Sequence, residues 1–169
     1  MRLIEPSHNS QPSNDSAIIT GLVLPPIDDS FMFDLLILAI RREKPLEFIK
    51  SLIEQGGINV DAVPDDGWDS GEYVKRLLHY AAESSTLDVV QYLISEGANV
   101  NARTENGKNP LHYAAENTLV SVDVLECLIS HGADVHAKDR DGKTPLDCAY
   151  QEEKKHILRA AMTQQPNQP

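Results

Sequence analysis

Leu-His-Tyr-Ala-Ala-Glu stands at positions 78–83 and returns unchanged at positions 111–116, a period of 33 residues. A weaker copy, Pro-Leu-Asp-Cys-Ala-Tyr, follows at positions 145–150. A period of this length is typical of proteins built from repeated supersecondary units. One such unit cannot bury its apolar face alone and has to stack on its neighbours. The repeat therefore predicts an elongated stack, which offers an extended surface for binding.

The apolar residues that follow each copy recur at helical spacing. In the second unit Val89, Val90, Leu93 and Ile94 form one apolar stripe with a period near 3.6 residues. Gly97 follows and can adopt the left-handed conformation that ends a helix. Each unit is therefore predicted to hold one helix at the repeated motif and a second, amphipathic helix after it.

These motifs resemble the ankyrin repeat family, whose unit reads approximately Asp-Gly-x-Thr-Pro-Leu-His-x-Ala-Ala, an apolar second helix, and Gly-Ala-Asp-Val-Asn-Ala. The stretch 141–146 is Asp-Gly-Lys-Thr-Pro-Leu, and the stretch 132–137 is Gly-Ala-Asp-Val-His-Ala. The resemblance implies an all-α solenoid of stacked helix-turn-helix units with finger-like β-turn loops.

The resemblance extends over residues 63–162, and an earlier, degenerate unit aligns through its second helix. That helix is predicted within residues 45–57, and Asn-Val-Asp-Ala at 59–62 then matches Asn-Val-Asn-Ala at 99–102. A terminal unit is expected to be atypical in this way. The ankyrin repeat domain is therefore predicted to contain about four units, at residues 29–62, 63–102, 103–137 and 138–162.

Segments of different composition flank the repeats. Residues 1–28 form an N-terminal extension that we expect to be partly disordered. Its apolar stretch 17–27 either packs over the exposed side of the first helix pair or docks on a partner. The Gln- and Pro-containing tail, 163–169, is predicted to be disordered. In the last helix the polar residues, Lys154 among them, are expected to form the polar outer face that ends a solenoid.

The chain is acidic, with a formal net charge of −11 and a pI of about 4.8. Binding to DNA, RNA or an anionic membrane depends on an excess of Lys and Arg, so the charge argues against these partners. The acidity serves solubility, or it complements a protein partner with a basic surface. A monomer is expected.

The location expected from the sequence is the cytoplasm. No basic segment followed by an apolar core and a small-residue cleavage site opens the chain, and the apolar stretches 17–24 and 31–40 are shorter than the roughly 18 residues that span a bilayer. Cys127 and Cys148 show neither a disulfide framework nor zinc-ligand spacing. Secretion into a host cell without a classical signal peptide is the alternative.

The largest departure from the repeat is an enlarged finger before the second copy. Sixteen steps lead from position 62 to position 78, whereas nine lead from 102 to 111, an excess of seven residues. The finger holds Trp68, Asp69, Glu72 and Tyr73. The aromatic rings either fold back on the neighbouring unit or form a binding hot spot beside carboxylates for a basic partner. We expect Trp68 to be the leading partner-binding residue.

The remaining candidate partner-binding residues follow from the family resemblance, which implies contacts through the fingers and the ends of the first helices. They are Glu83, Ser84, Glu105, Asn106, Lys108, Glu116, Asn117, Arg140, Asp141 and Lys143.

Catalysis is not indicated. The family resemblance implies that His79 and His112 hydrogen-bond to backbone and the neighbouring turn, and Asp147 stands in the same position of the fourth unit. The motifs for phosphate loops, zinc proteases and nucleophile elbows do not occur. No enzyme activity, cofactor or metal is expected. A metal-dependent enzyme using these three residues is the remote alternative.

The function predicted is a non-catalytic protein-protein interaction module that captures a partner on the concave face made by the fingers and first helices. A more specific alternative is an acidic inhibitor or immunity protein of a basic toxin or nuclease. A secreted effector that engages host proteins is equally compatible with the sequence.

Two turns depart from the family's Thr-Pro opening. Because Asn109 replaces Thr at the start of the third unit and Arg76 and Leu77 replace Thr-Pro in the second, those two turns are expected to be less well tied.

Overall fold

The computed structural model describes residues 29–62, 75–84 and 86–165. Within these ranges the chain forms eight helices and no strand, which confirms the all-α prediction. In chain order they are α1 (Asp29–Arg41), α2 (Leu46–Gly56), α3 (Leu77–Glu83), α4 (Leu87–Ser95), α5 (Pro110–Glu116), α6 (Val122–Ser130), α7 (Pro145–Cys148) and α8 (Glu152–Gln164).

The helices stack in two layers. Consecutive helices pack as the pairs α1 with α2, α3 with α4, α5 with α6 and α7 with α8. The first helices of the pairs, α1, α3, α5 and α7, contact one another in sequence and form one layer, whereas α2, α4, α6 and α8 form the other. The predicted helix-turn-helix stack is therefore present, and its first-helix layer borders the fingers.

The core lies between these layers and runs without interruption through all four pairs. The stripe predicted on α4 faces it, since Val89, Val90 and Leu93 are buried. The repeated motif is also buried almost completely, including His79 and His112. Its Ala-Ala pairs leave no bulk between neighbouring first helices, which allows α3 and α5 to pack closely.

Gly97 ends α4 as predicted. Its φ of +92° lies in the left-handed region, and the following amide, that of Ala98, donates to the carbonyl of Leu93 at 2.9 Å. A side chain would be strained at this φ, so glycine is the residue that fits. The reversal turns the chain from the second-helix layer toward the next finger.

Two features of the last unit differ from the prediction. Helix α8 continues to Gln164, two residues beyond the predicted end of the repeat domain. Lys154, predicted on the solvent face, is fully buried, because its ammonium group donates to the carbonyls of Ala114 and Asn117 in the preceding unit. Periodicity alone cannot distinguish a solvated lysine from one that satisfies the end of a neighbouring helix.

Candidate functional site

Two lysine-glutamate pairs, one repeat apart, mark the first-helix face. Lys75 precedes α3 and its Nζ lies 3.1 Å from Oε2 of Glu83, the last residue of that helix. Lys108 and Glu116 repeat the arrangement on α5 at 2.7 Å. In each pair the lysine reaches along the first helix from the finger to the far end. The ion pair thus recurs at the same 33-residue spacing as the helices that carry it.

Both ammonium groups lie over the ring of Tyr113. Nζ of Lys75 is 4.5 Å from the ring centroid, and Nζ of Lys108 is 5.8 Å from it. Lys75 also lies 5.6 Å from the centroid of Tyr80, the equivalent residue of the second unit. A cation over an aromatic face is attracted by the electron-rich ring. Burial raises the pKa of the Tyr113 hydroxyl, so the ring stays neutral at physiological pH.

Cations and anions of these pairs differ in exposure. The side chain of Lys75 is 7% exposed and that of Lys108 is 20% exposed, whereas Glu83 and Glu116 are 39% and 44% exposed. Burial opposes the charge of Lys108, but the hydrogen bond and charge of Glu116 outweigh it and raise the pKa of the lysine. The lysines therefore form the floor of the site, and the carboxylates face solvent.

These groups line an open cleft of about 390 Å³ between the second and third units. A smaller cleft of about 220 Å³ adjoins it toward the first unit, and Glu83 and Asn117 line both. In the smaller cleft the guanidinium of Arg41 lies 5.8 Å from the centroid of Tyr80, and Leu119 is 83% exposed. Lining the larger cleft are Lys75, Glu83, Asn106, Lys108, Tyr113, Glu116 and Asn117.

Backbone contacts between successive fingers hold one wall of the cleft. The amide of Arg140 donates to the carbonyl of Asn106 at 2.8 Å, which joins the finger of the fourth unit to that of the third. Gly107 has a φ of +76°, and a Cβ there would lie 3.3 Å from the amide nitrogen of Arg140 and from Cα of Asp139. Glycine at position 107 therefore permits the close stacking of the fingers.

His79 and His112 tie the fingers to the first helices, as the family resemblance implied. Nε2 of His79 donates to the carbonyl of Ala102 at 3.1 Å, and its Nδ1 accepts from the amide of Arg76 at 3.1 Å. His112 bonds in the same way to Lys143 and Asn109. Burial lowers the pKa of His79 to about 4 and lowers that of His112 as well. Both ring nitrogens are occupied, so neither imidazole is positioned as a base or metal ligand.

The turn that opens the third unit is better tied than expected. Oδ1 of Asn109 accepts from the amide of His112 at 3.1 Å, and its Nδ2 donates to the carbonyl of Asp134 at 3.1 Å. Asparagine is a good N-cap, so it replaces the family's threonine without loss. Arg76 differs, because a guanidinium has no acceptor and cannot cap α3 through its side chain. It donates instead to the carbonyl of Asp61 at 3.0 Å.

Sulfur and metal chemistry find no support in the described part of the chain. Burial raises the pKa of both Cys127 and Cys148, which keeps the thiols protonated and weakly nucleophilic. Among residues 29–62, 75–84 and 86–165, no group of three or more His, Cys, Asp or Glu is arranged to hold a metal ion. No helix in those ranges is long and apolar enough to cross a membrane.

The structure brings five of the predicted partner-binding residues together in the larger cleft, and Ser84 lies in the smaller one. Glu105, Arg140, Asp141 and Lys143 are exposed on the fingers, outside both clefts. Residues 63–74 of the enlarged finger, like segment 17–27, lie outside the described residues. Together in the larger cleft are Glu83, Asn106, Lys108, Glu116 and Asn117. Outside the described residues are Trp68, Asp69, Glu72 and Tyr73.

Not every predicted residue offers a free side chain. Asn117 donates through Nδ2 to the carbonyl of Glu83 at 2.6 Å and accepts at Oδ1 from the amide of Leu119 at 2.9 Å, so its amide group serves the scaffold. Lys75 and Tyr113 were missed as site residues. The signal that finds Lys75 is its position 33 residues before Lys108, the same period that relates the two histidines.

Comparison with known proteins finds the same repeats elsewhere. The chain is 38% identical over 74 residues to the E3 ubiquitin-protein ligase Ufd4 of Drosophila melanogaster, a match that covers 44% of this chain and 2% of that protein. It is 44% identical over 43 residues to the NF-kappa-B inhibitor cactus of the same organism, covering 25% of this chain and 9% of the relative. A match to alpha-latrocrustotoxin-Lt1a of Latrodectus tredecimguttatus has 36% identity over 70 residues and covers 41% of this chain and 4% of the toxin.

The chain therefore spans less than a tenth of the length of these relatives, and the similarity concerns a shared repeat module. A family model described as "Ankyrin repeats (3 copies)" matches residues 13–104, 36–139 and 78–167, which overlap to cover most of the chain. Together with the stacked helix pairs and the buried histidine of each repeated motif, these matches show that the chain belongs to the ankyrin repeat family.

Proposed function

We propose that the chain is a non-catalytic protein-interaction module that binds its partner along the cleft between its second and third units. Ankyrin repeats are generic protein-interaction modules, and the family model that matches the chain is not a catalytic one. The observation that supports this placement is the cleft itself, in which Lys75, Tyr113 and Glu116 form an ordered polar surface at the first-helix layer. These side chains are not needed to close the core, which the apolar residues already fill.

The character of the cleft favours a protein partner. Its lining combines charged and amide groups with one tyrosine, whereas small-molecule sites are mostly apolar and enclosed. The net charge of −11 disfavours the phosphate backbone of a nucleic acid. Aromatic rings surrounded by polar groups are typical of protein interfaces, where a few anchoring residues supply most of the binding energy. The partner's segment would lie across Glu83 and Asn117, which join the two clefts.

Site-specific photo-crosslinking tests this proposal. A benzophenone amino acid replaces Asn106, which lines the cleft, and in a matched variant it replaces Glu126, which is exposed on α6 in the other layer. Irradiation of the full chain in its native cell extract should give a discrete crosslinked protein from position 106. The same protein should be absent, or at least tenfold weaker, from position 126. Crosslinking from position 126 alone, or from neither position, contradicts the proposal.

The acidic charge and one of the matched proteins favour a finer version, in which the chain inhibits a basic partner by occupying its surface. The net charge is −11, and a relative that shares the repeats is named as an inhibitor, the NF-kappa-B inhibitor cactus. Complementary charge accelerates association and makes it sensitive to salt. Once the crosslinked partner is identified, its own activity is measured with and without the chain. Inhibition that weakens with rising ionic strength supports this role, and unchanged partner activity excludes it.

A further inference from the structure

The larger cleft has an uneven supply of hydrogen-bonding groups. Each ammonium group makes one hydrogen bond to a glutamate, Lys75 to Glu83 and Lys108 to Glu116, and both lie over the ring of Tyr113. Each carboxylate is bonded through Oε2 alone, and Oε1 accepts no hydrogen bond from the residues that the structure describes. Because the carboxylates face solvent and the lysines form the floor of the cleft, the groups most accessible to an incoming side chain are hydrogen-bond acceptors.

The exposure of the charged side chains also favours a cationic partner. Both carboxylates are about two-fifths exposed, whereas the Lys75 side chain is 7% exposed and cannot easily leave the ring of Tyr113 to meet an anion. A further cation, Arg41, lies in the smaller cleft over the ring of Tyr80. It belongs to none of the ion pairs described. An anionic partner would meet the more exposed carboxylates of Glu83 and Glu116 before it reached either ammonium group. A cationic partner adds to the site as it stands.

We propose that the cleft recognises an arginine side chain of the partner, placed between Glu83 and Glu116. This assignment rests on the proposed function and specifies the chemistry of the segment that the module binds. A guanidinium has five N–H donors in a planar fork and can bond to both carboxylates at once. It is also more weakly hydrated than an ammonium, so less hydration is lost when it enters the cleft. Lysine has one compact charge and meets only part of this site.

The cleft has room for such a side chain. Its volume of about 390 Å³ falls within the range of sites that hold ligands of the size of an amino acid or larger. Equivalent residues of α3 and α5 belong to neighbouring helices, and packed helix axes are about 8–10 Å apart. An arginine that enters from an extended segment can therefore meet one carboxylate on each helix. The partner is thus assigned an extended segment with a central arginine.

Titration with short peptides tests the assignment on the full chain. The probes are Ac-Gly-Ser-Xaa-Ser-Gly-amide peptides in which Xaa is Arg, Lys, Gln or Glu, and binding is followed by the NMR shifts of amides around Lys108 and Glu116. The arginine peptide should shift these amides with a dissociation constant at least threefold below that of the lysine peptide. The glutamine and glutamate peptides should bind at least tenfold more weakly than the arginine peptide. Equal binding of the arginine and glutamate peptides overturns the assignment.

Matched variants separate a specific site from the general attraction of an acidic chain. Glu83→Gln combined with Glu116→Gln removes two charges from the cleft and keeps an acceptor for each lysine. Glu126→Gln combined with Glu153→Gln removes two charges from exposed positions in the second-helix layer. The first pair should weaken arginine-peptide binding at least fivefold, and the second pair less than twofold. Equal weakening by both pairs overturns the assignment. Melting temperatures of all variants confirm that each is folded.

The crosslinking experiment distinguishes this inference from the proposed function. If the benzophenone at position 106 captures a protein whose yield is unchanged by the Glu83→Gln and Glu116→Gln pair, the interaction function stands and the arginine assignment is wrong. If the pair lowers the yield at least fivefold, both are supported. If position 106 captures nothing, the proposed function fails, whatever the peptides show.

Discussion

The ammonium group of Lys154 in α8 lies 2.5 Å from the carbonyl oxygen of Asn117 and 2.8 Å from that of Ala114. These carbonyls lie at the C-terminal end of α5, where a helix leaves acceptors without an internal partner. Lys154 is fully buried, and no carboxylate among the described residues pairs with it. Burial lowers the pKa of its amine. The last helix thus completes the end of α5 and fixes Asn117, which in turn donates to Glu83 at the cleft.

Replacing Lys154 with methionine should therefore destabilise the chain although it removes a buried charge. The side chain keeps its length, but two carbonyls lose their donor, and a buried acceptor without a partner costs about 1–3 kcal/mol. Urea denaturation of the full chain measures the change. Lys155→Met is the matched control, since Lys155 pairs only with the exposed Glu152 in its own helix and such pairs contribute under about 1 kcal/mol. Equal stability of the two variants contradicts the capping role of Lys154.

Two glycines at equivalent places in successive fingers give a second comparison. Gly107 has a φ of +76° and Gly142 a φ of +78°, so alanine is strained at both. A Cβ at position 107 meets the backbone of Asp139 and Arg140 at 3.3 Å, whereas one at position 142 meets nothing within 4 Å. Gly142→Ala should cost about 1 kcal/mol for the left-handed conformation alone.

Gly107→Ala should cost at least about 1 kcal/mol more than Gly142→Ala, because tight packing of backbone against backbone is not relieved by rotation of a side chain. Thermal unfolding of both variants measures the difference. The hydrogen bond between the Arg140 amide and the Asn106 carbonyl should also weaken, which hydrogen exchange of the Arg140 amide detects. Equal losses in the two variants show that the fingers do not stack as described.

How far the sequence predicts this molecule depends on the kind of interaction. The 33-residue period and the stripe at Val89 and Leu93 predict the stacked helix pairs, since burial of apolar faces is periodic in the chain. The same period places Glu83 and Glu116 at equivalent helix ends, so part of the cleft could be predicted. These features repeat because each unit buries an equivalent apolar face against its neighbours.

Features that arise between units could not be predicted in this way. Lys154 contacts carbonyls 37 and 40 residues earlier, and nothing in its local pattern distinguishes it from the solvated Lys155. Lys75 stands just outside the repeated motif, and its burial against Tyr113 depends on the neighbouring unit. Asn117 was predicted to contact a partner, yet its side chain bonds within the scaffold. Long-range hydrogen bonds of this kind do not recur at the repeat period, so the sequence pattern does not reveal them.

The N-cap of α5 provides a third prediction. Asn109 bonds both to the amide of His112 and to the carbonyl of Asp134, which joins the start of the helix to the end of its own unit. Asn109→Ala removes both bonds and should destabilise the chain by about 2 kcal/mol. Asn109→Thr retains an acceptor for the helix, as Thr144 does in the fourth unit, and should lose about half as much. Equal losses in chemical denaturation contradict a capping role for the asparagine.

The buried imidazole of His79 gives the chain a dependence of stability on pH. Its Nδ1 faces the amide N–H of Arg76, so a proton added there meets another donor. The folded pKa is about 4, below the usual 6.5. The unfolded chain therefore binds the proton first, and the stabilising effect of the neutral ring is complete above pH 6.5 and declines as the pH falls toward 4. The expected loss is about 2 kcal/mol by pH 5 and about 3 kcal/mol in all.

Urea denaturation between pH 7 and pH 4 of the wild type and of His79→Gln measures this contribution. Glutamine keeps a donor and an acceptor but does not titrate, so the variant should be less stable at pH 7 and should lose about 2 kcal/mol less between pH 7 and pH 5. His112→Gln is the comparison, because Nδ1 of His112 lies 2.6 Å from Oδ1 of Asn109, an acceptor for an added proton. This variant should change the pH dependence less. If His79→Gln retains the full wild-type slope, other groups cause it, and the proton on His79 does not limit stability in acid.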